Sequence, residues 1–282
     1  DSTSLGAITE AGMFGPFGVF TSSLIGRHGR DGGEAIRLDS TWTRDFPERL
    51  ATLRVGDSIS VAGAWGQSAR FGGIQFGTNF ATQPTLVTMP LLYAQGEALV
   101  PSTVDVFVNG RRIASETVPP GPFTIDRVPA VTGAGQMQVV VTDALGRQQV
   151  VSQPFYTGPT LLRAGLSEYS VEAGAIREDY ARLSNEYGDV MVAGTYRRGL
   201  TDRLTAELHA EGRLDGIAAA GMDLAVQPGT LGIFTLTAAA GGDGEVGWLA
   251  GAGFERTGRR ISVFARARYA SPSFAQLGTT PE

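Results

Sequence analysis

Cysteine is absent from this 282-residue chain, and so is lysine, since all 23 basic residues are arginine. Without cysteine there are no disulfides, thiolate metal sites or thiol nucleophiles. A cysteine-free chain also suits an oxidising envelope, where stray thiols cross-link. Charge is sparse: 18% of residues against roughly a quarter in a typical soluble domain. The net charge of −5 gives no electrostatic basis for nucleic-acid binding. No apolar run reaches the eighteen or so residues of a membrane helix, and no signal peptide is read from Asp1 onward. A mean hydropathy of zero does not exclude a membrane barrel, whose strands hide their apolar residues in alternation.

Catalytic chemistry is equally sparse. His28 and His209 are the only histidines, so a Ser-His-Asp arrangement has few places to form, and no Gly-x-Ser-x-Gly elbow occurs. Gly133-Ala134-Gly135 and Gly251-Ala252-Gly253 lack the third glycine and the following helix of a phosphate cradle. They read as strand or turn glycines, and the chain reads as neither an enzyme nor a cofactor binder.

What is present is alternation at period two. Leu204, Ala206, Leu208 and Ala210 point to one side of a strand; Thr205, Glu207, His209 and Glu211 point to the other. Ile261, Val263, Ala265, Ala267 and Tyr269 oppose Arg260, Ser262, Phe264, Arg266 and Arg268. Tyr169, Val171 and Ala173 oppose Glu168, Ser170 and Glu172; Ile36, Leu38, Ser40 and Trp42 oppose Arg37, Asp39, Thr41 and Thr43. Small residues with an aromatic near a strand end fit a lipid band, and mid-strand charges on the other side fit a wet lumen. A soluble sandwich explains the same alternation. Sustained helical spacing is missing, so little or no helix is expected.

Glu207-x-His209-x-Glu211 is the best metal candidate on one strand face. Its outer residues lie roughly 13 Å apart along a strand, too far for one ion with bonds near 2 Å. A solvated lumen wall is the preferred reading, for Arg266 and Arg268 as well, and no metal is assigned.

In mid-chain, Val104–Val108 ends in Asn109-Gly110, the signal of a type I′ hairpin. Then comes Val118-Pro119-Pro120-Gly121-Pro122-Phe123-Thr124-Ile125-Asp126, where the prolines force a turn between extended runs. Phe123 and Ile125 alternate with Thr124 and Asp126 as a small core would require, as Val104, Val106 and Val108 form one face of a strand and Val139 and Val141 one face of another. The order of hairpin, "VPPGPF", the Val139–Gly146 strand and turn, Pro154-Phe155-Tyr156 and Leu161-Leu162-Arg163 resembles the plug domain of the outer-membrane fimbrial ushers. Leu53-Arg54-Val55-Gly56-Asp57 resembles the family's "LxxGD" strand, and Phe71-Gly72-Gly73-Ile74-Gln75-Phe76 its "FGGxxF" strand. Thr88-Met89-Pro90 and Tyr169–Gly174 are similar to the segments that flank the plug.

The resemblance implies an all-β fold: part of an antiparallel transmembrane β-barrel with an inserted small β-sandwich plug. The expected division is residues 1–93 for the first barrel strands, 94–157 for the plug and 158–282 for further barrel strands. Asn109, Gly110, Pro119, Pro120, Gly121, Pro122, Phe123 and Ile125 would form the plug's turns and core. Glu168, Glu172, Glu207, His209, Glu211, Arg266 and Arg268 would face the lumen. At roughly ten residues per strand the non-plug residues supply about half of a usher barrel, so a central piece of a longer protein is expected. The implied function is secretion and assembly of pilus subunits delivered by periplasmic chaperones, across the outer membrane of a Gram-negative bacterium. A porin-like channel or a secreted adhesin or carbohydrate-binding sandwich is the alternative.

Overall fold

The computed structural model describes residues 5–29, 32–128 and 132–278. The first strands are β1 (Leu5–Gly15), β2 (Gly18–Gly29), β3 (Gly32–Phe46), β4 (Ala51–Ile59) and β5 (Arg70–Thr78). An inserted group follows: β6 (Leu92–Ala98), β7 (Ser102–Val108), β8 (Arg111–Val118), β9 (Gly121–Val128), β10 (Gly133–Asp143) and β11 (Gln148–Thr157). The last group is β12 (Ser167–Arg177), β13 (Tyr187–Thr201), β14 (Leu204–Arg213), β15 (Ile217–Val226), β16 (Ile233–Asp243), β17 (Glu245–Thr257) and β18 (Ser262–Ala270). Helix among the described residues is confined to the 3-10 turns Pro47–Arg49 and Phe80–Thr82, and no helix there is long and apolar enough to cross a membrane.

Twelve strands form one antiparallel sheet, β1-β2-β3-β4-β5-β12-β13-β14-β15-β16-β17-β18. β5 and β12 are neighbours in it, paired from Phe71↔Ile176 to Gly77↔Ser170, although 88 residues separate Thr78 from Ser167. The whole inserted group therefore occupies a single strand connection. The sheet's strands run from nine residues in β4 and β18 to fifteen in β3 and β13, a range that includes the nine to eleven of a tilted membrane strand. β1 and β18 do not pair with each other, so the sheet is an open section of barrel wall.

On β12 and β14 burial is inverted relative to a soluble protein. On β14, Leu208 is 56% exposed while its neighbour His209 is 2% exposed and Glu211 6%. On β12, Val171 is 61% exposed and Glu172 2%. An exposed apolar side backed by a covered polar side is the arrangement of a wall with hydrocarbon outside. Register carries it across strands: Tyr169, Tyr196, Leu208, Met222, Ala238, Ala250 and Tyr269 stand directly opposite one another in turn.

The inserted group has its own core. Its four-stranded sheet, β11-β10-β7-β8, and its two-stranded sheet, β6-β9, enclose Val104, Val106, Val108, Phe123, Ile125, Val128, Met137, Val139 and Phe155. Asn109 and Gly110 join β7 to β8 with φ of 51° and 82°, the left-handed pair that a type I′ turn needs. Pro119 and Pro120 alone make the next turn. Gly121 and Pro122 already belong to β9, where Pro122 stands opposite Glu97, and β9 pairs only with β6. An edge strand tolerates the missing N–H that a central one would not. β6 starts at Leu92, two residues before the expected boundary, and Ala94 and Ala98 belong to the same core.

Candidate functional site

The polar side of the wall carries a row of charge fixed by strand register. Glu168, Arg197, Glu207, Asp223, Thr237, Gly251 and Arg268 stand opposite one another from β12 to β18. Arg197 pairs with Glu168 at 3.2 Å, and Thr237 donates to Asp223 at 2.6 Å. Arg266, on the same strand as Arg268, lies 5.7 Å over the Phe264 ring and helps line a 110 Å³ cavity beside Glu207 and Asp223.

Arg266 and Arg268 are exposed, whereas Glu172, His209 and Glu211 are buried and Glu207 is half-buried. Residues 60–69, between β4 and β5, fold back over them. Glu172 accepts from the Val61 N–H at 2.9 Å and Glu207 from the Ala64 N–H at 2.6 Å. Arg268 donates to the carbonyls of Trp65 and Ala64, both at 3.0 Å. Trp65 is fully buried, edge-on to His209 at 5.0 Å and to Phe274 at 6.2 Å. The His209 ring is held by Thr195 at 2.8 Å and Glu211 at 3.0 Å. Glu211 also accepts from the Leu277 N–H at 2.7 Å, in a second segment that packs here after β18. The physical reason is simple: main-chain N–H groups of a folded-in segment need acceptors, and strand carboxylates supply them. It also draws Glu207 away from the His209–Glu211 pair, since Glu207 and Glu211 serve different segments.

A second polar cluster, absent from the sequence reading, explains two of its motifs. Asp57, the last residue of Leu53–Asp57, accepts from Tyr187 at 2.6 Å, from the Ser40 N–H at 2.8 Å and from Arg37, and pairs with Arg177 at 2.9 Å. The Asp57 and Arg177 side chains are 3% and 1% exposed. A Cβ on Gly72 would collide with the Tyr187 ring, so the glycine of the Phe71–Phe76 motif lets the tyrosine cross β5 to reach Asp57. Arg177 also binds the Arg37 and Ser184 carbonyls at 2.8 and 3.0 Å, holding residues 178–186 against the wall. In that segment Tyr180 donates to Asp39 at 2.8 Å. Burial, then this bond, raises its phenol pKa and keeps the donor protonated.

The inserted sandwich meets the wall at one end. Tyr156, 3% exposed, packs with Leu161, Ala225 and Ile233. Beyond it Leu162 donates to Thr205 at 2.8 Å and Ala164 to Asp202 at 3.1 Å, and the Gly165 N–H donates to the Gly199 carbonyl at 2.9 Å. At the sandwich's other end Asp143 binds the N–H groups of Leu145 and Arg147 and the Arg147 guanidinium, at 2.7–2.9 Å. The guanidinium hydrogen bond comes first among the causes that hold its carboxyl below the usual range.

Of the residues singled out from sequence, Glu172, Glu207, His209, Glu211 and Arg268 come together under residues 60–69 and 271–278. Phe123 and Ile125 lie in the sandwich core, 9% and 1% exposed, with Asn109, Gly110, Pro119, Pro120, Gly121 and Pro122 at its turns and edge.

A sequence profile of outer membrane usher proteins matches residues 26–237, well over half of the chain. The chain belongs to the outer membrane usher family. It is 32% identical over 151 residues to the outer membrane usher protein FimD of Escherichia coli K12, covering 51% of this chain and 16% of that protein. To HifC of Haemophilus influenzae it is 27% identical over 199 residues, covering 71% and 23%. The usher chain thus spans about a sixth to a quarter of these curated relatives. Its fold matches the PapC translocation pore at a TM-score of 0.56 with 18% identity, over 98% of this chain and 60% of that one. It matches a chain of the E. coli P pilus tip assembly intermediate PapC-PapD-PapK-PapG at 0.67 and 18%, over 95% and 35%.

Proposed function

We propose that this usher chain is a wall section and gate of an outer-membrane pore that secretes and assembles pilus subunits delivered by periplasmic chaperones. The carrying observation is the inverted wall. With Leu208 and Val171 outside and His209, Glu211 and Glu172 covered inside, the sheet has lipid for a neighbour on one side and a polar channel on the other. A water-soluble adhesin sandwich would show the opposite burial.

The inserted sandwich, Leu92–Thr157, is the plug, with wall strands before and after it. It has its own core and hangs from one strand connection, so it can leave the channel without breaking the β5–β12 pairing. A plain porin-like channel has no use for such a unit. The charged row from Glu168 to Arg268 gives a surface over which a folded protein slides without apolar adhesion. The work is mechanical: subunits exchange a chaperone's strand for a neighbour's by β-augmentation, which needs neither catalysis nor cofactor.

In the full-length protein, deleting Leu92–Thr157 and joining the flanking strands is expected to raise ion conductance in planar bilayers. Unchanged conductance with a correctly inserted barrel would refute the gate.

A further inference from the structure

The attachment between sandwich and wall has two parts of different character. From Leu161 to Gly165 the chain is tied down by main-chain bonds and buried leucines, as on any wall-hugging strand connection. Tyr156, five residues earlier, belongs to the last strand of the sandwich itself, β11. Its hydroxyl accepts from the Thr257 N–H, at the end of β17, at 3.2 Å. Its carbonyl accepts from the buried Gln227 side chain at 2.8 Å, and the same amide reaches the Gly229 carbonyl at 3.0 Å. The ring fills a socket of Ala225 and Ile233 from the wall and Ala134 from the sandwich.

The fit is close on both sides of this contact. A Cβ on Gly133, where φ is +100°, would come within 2.8 Å of the Thr257 carbonyl, and one on Gly158 within 2.7 Å of the Ile233 side chain. Two glycines thus let the sandwich press onto β15–β17 where Tyr156 enters. Nothing in the sandwich core requires the Tyr156 hydroxyl or carbonyl to face the wall.

We propose that Tyr156 is a releasable clasp: with Gln227 and Thr257 it holds the plug closed, and its withdrawal frees the plug while Leu161–Gly165 remain anchored. This deepens the plug reading and rests on it. Apolar contact holds the ring, and the polar pair sets its depth, because on departure the Thr257 N–H and one of the two Gln227 amide protons lose their protein acceptor, the other staying on the Gly229 carbonyl. The competing donors available to an opening plug are water molecules, which keeps the clasp weak enough to release.

The test uses the full-length protein in planar bilayers, comparing wild type, Tyr156→Phe, Gln227→Leu and the Leu92–Thr157 deletion, with Tyr180→Phe as a tyrosine bonded inside the wall. Loss of one such hydrogen bond should raise open probability roughly two- to tenfold in Tyr156→Phe and in Gln227→Leu. Tyr180→Phe should gate as wild type, and all variants should keep the wild-type heat-modifiable band on gels, which excludes general unfolding. If the deletion opens the pore but Tyr156→Phe gates as wild type, the clasp is overturned and the plug stands. If the deletion leaves the pore closed, the plug reading falls and the clasp with it.

Discussion

At the scale of single residues, one carboxylate decides how a wall segment is held. Asp57 takes hydrogen bonds or ion pairs from β3, β12 and β13 together, because Arg37, Arg177 and Tyr187 all reach it. With Arg177 1% exposed, removing Asp57 leaves a buried guanidinium with only Asp39, 4.0 Å away, as counter-charge, which costs up to about 3–5 kcal/mol. Asp57→Ala in the full-length protein should therefore lower the temperature at which the folded band disappears on gels. It should also expose residues 178–186 to protease, since Arg177 holds them through Ser184. Unaltered melting and cleavage would show that the cluster adds nothing to the wall. The glycine at position 72 matters for the same reason, as the opening that Tyr187 passes over.

At the scale of elements, the inserted sandwich depends on a strand that its own sequence pattern undersells. β6 reads Leu92–Ala98 with Gly96 and Glu97 inside it, a poor strand by propensity. Among the described residues it is nevertheless the only partner of β9, pairing Ala94 with Ile125 and Gly96 with Phe123. A polypeptide of Leu92–Thr157 should fold in water as a β-rich unit by circular dichroism and proton NMR. One beginning at Ala98 should not, because β9 loses its ladder and the core loses Ala94. This core is small, near the lower limit of independent stability, so the loss of one strand is decisive. Equal folding of the two would show that β6 is dispensable. The 60–69 segment is the opposite case: it has no strand or helix of its own, only a turn at Ala62–Gly66 and a Ser60–Ala69 closure, and its place is set by Glu172, Glu207 and Arg268.

At the scale of the whole molecule, the twelve-stranded sheet is open, with β1 and β18 each carrying an unpaired edge. In a bilayer, unpaired N–H and C=O groups cost several kcal/mol each, and in water they template aggregation. The 282-residue chain expressed alone should accordingly aggregate, or remain associated through its edges, and should show no heat-modifiable monomer on gels. A monodisperse, heat-stable monomer in detergent would mean that the sheet closes on itself.

The sequence by itself determined the class of the fold, because alternation at period two and turn chemistry are local. Leu204–Glu211 could pair its faces only one way, and Asn109-Gly110 could make only a tight hairpin. The ordered motifs from Val104 to Arg163 also carried the family. Tertiary structure decided what the polar faces are for. That Glu172, Glu207, His209 and Glu211 are covered depends on residues 60–69 and 271–278 crossing over strands far away in sequence, and no periodicity reports such a crossing. The pairing of Asp57 with Arg177 spans 120 positions, and the bond from Tyr187 to Asp57 runs over a glycine that reads from sequence as a mere gap in a strand. Tyr156 likewise reads as one aromatic at a strand end; only the wall strands β15–β17 give it a socket. Local sterics fix which side a residue faces, whereas its partner is set by which distant strand the chain brings opposite.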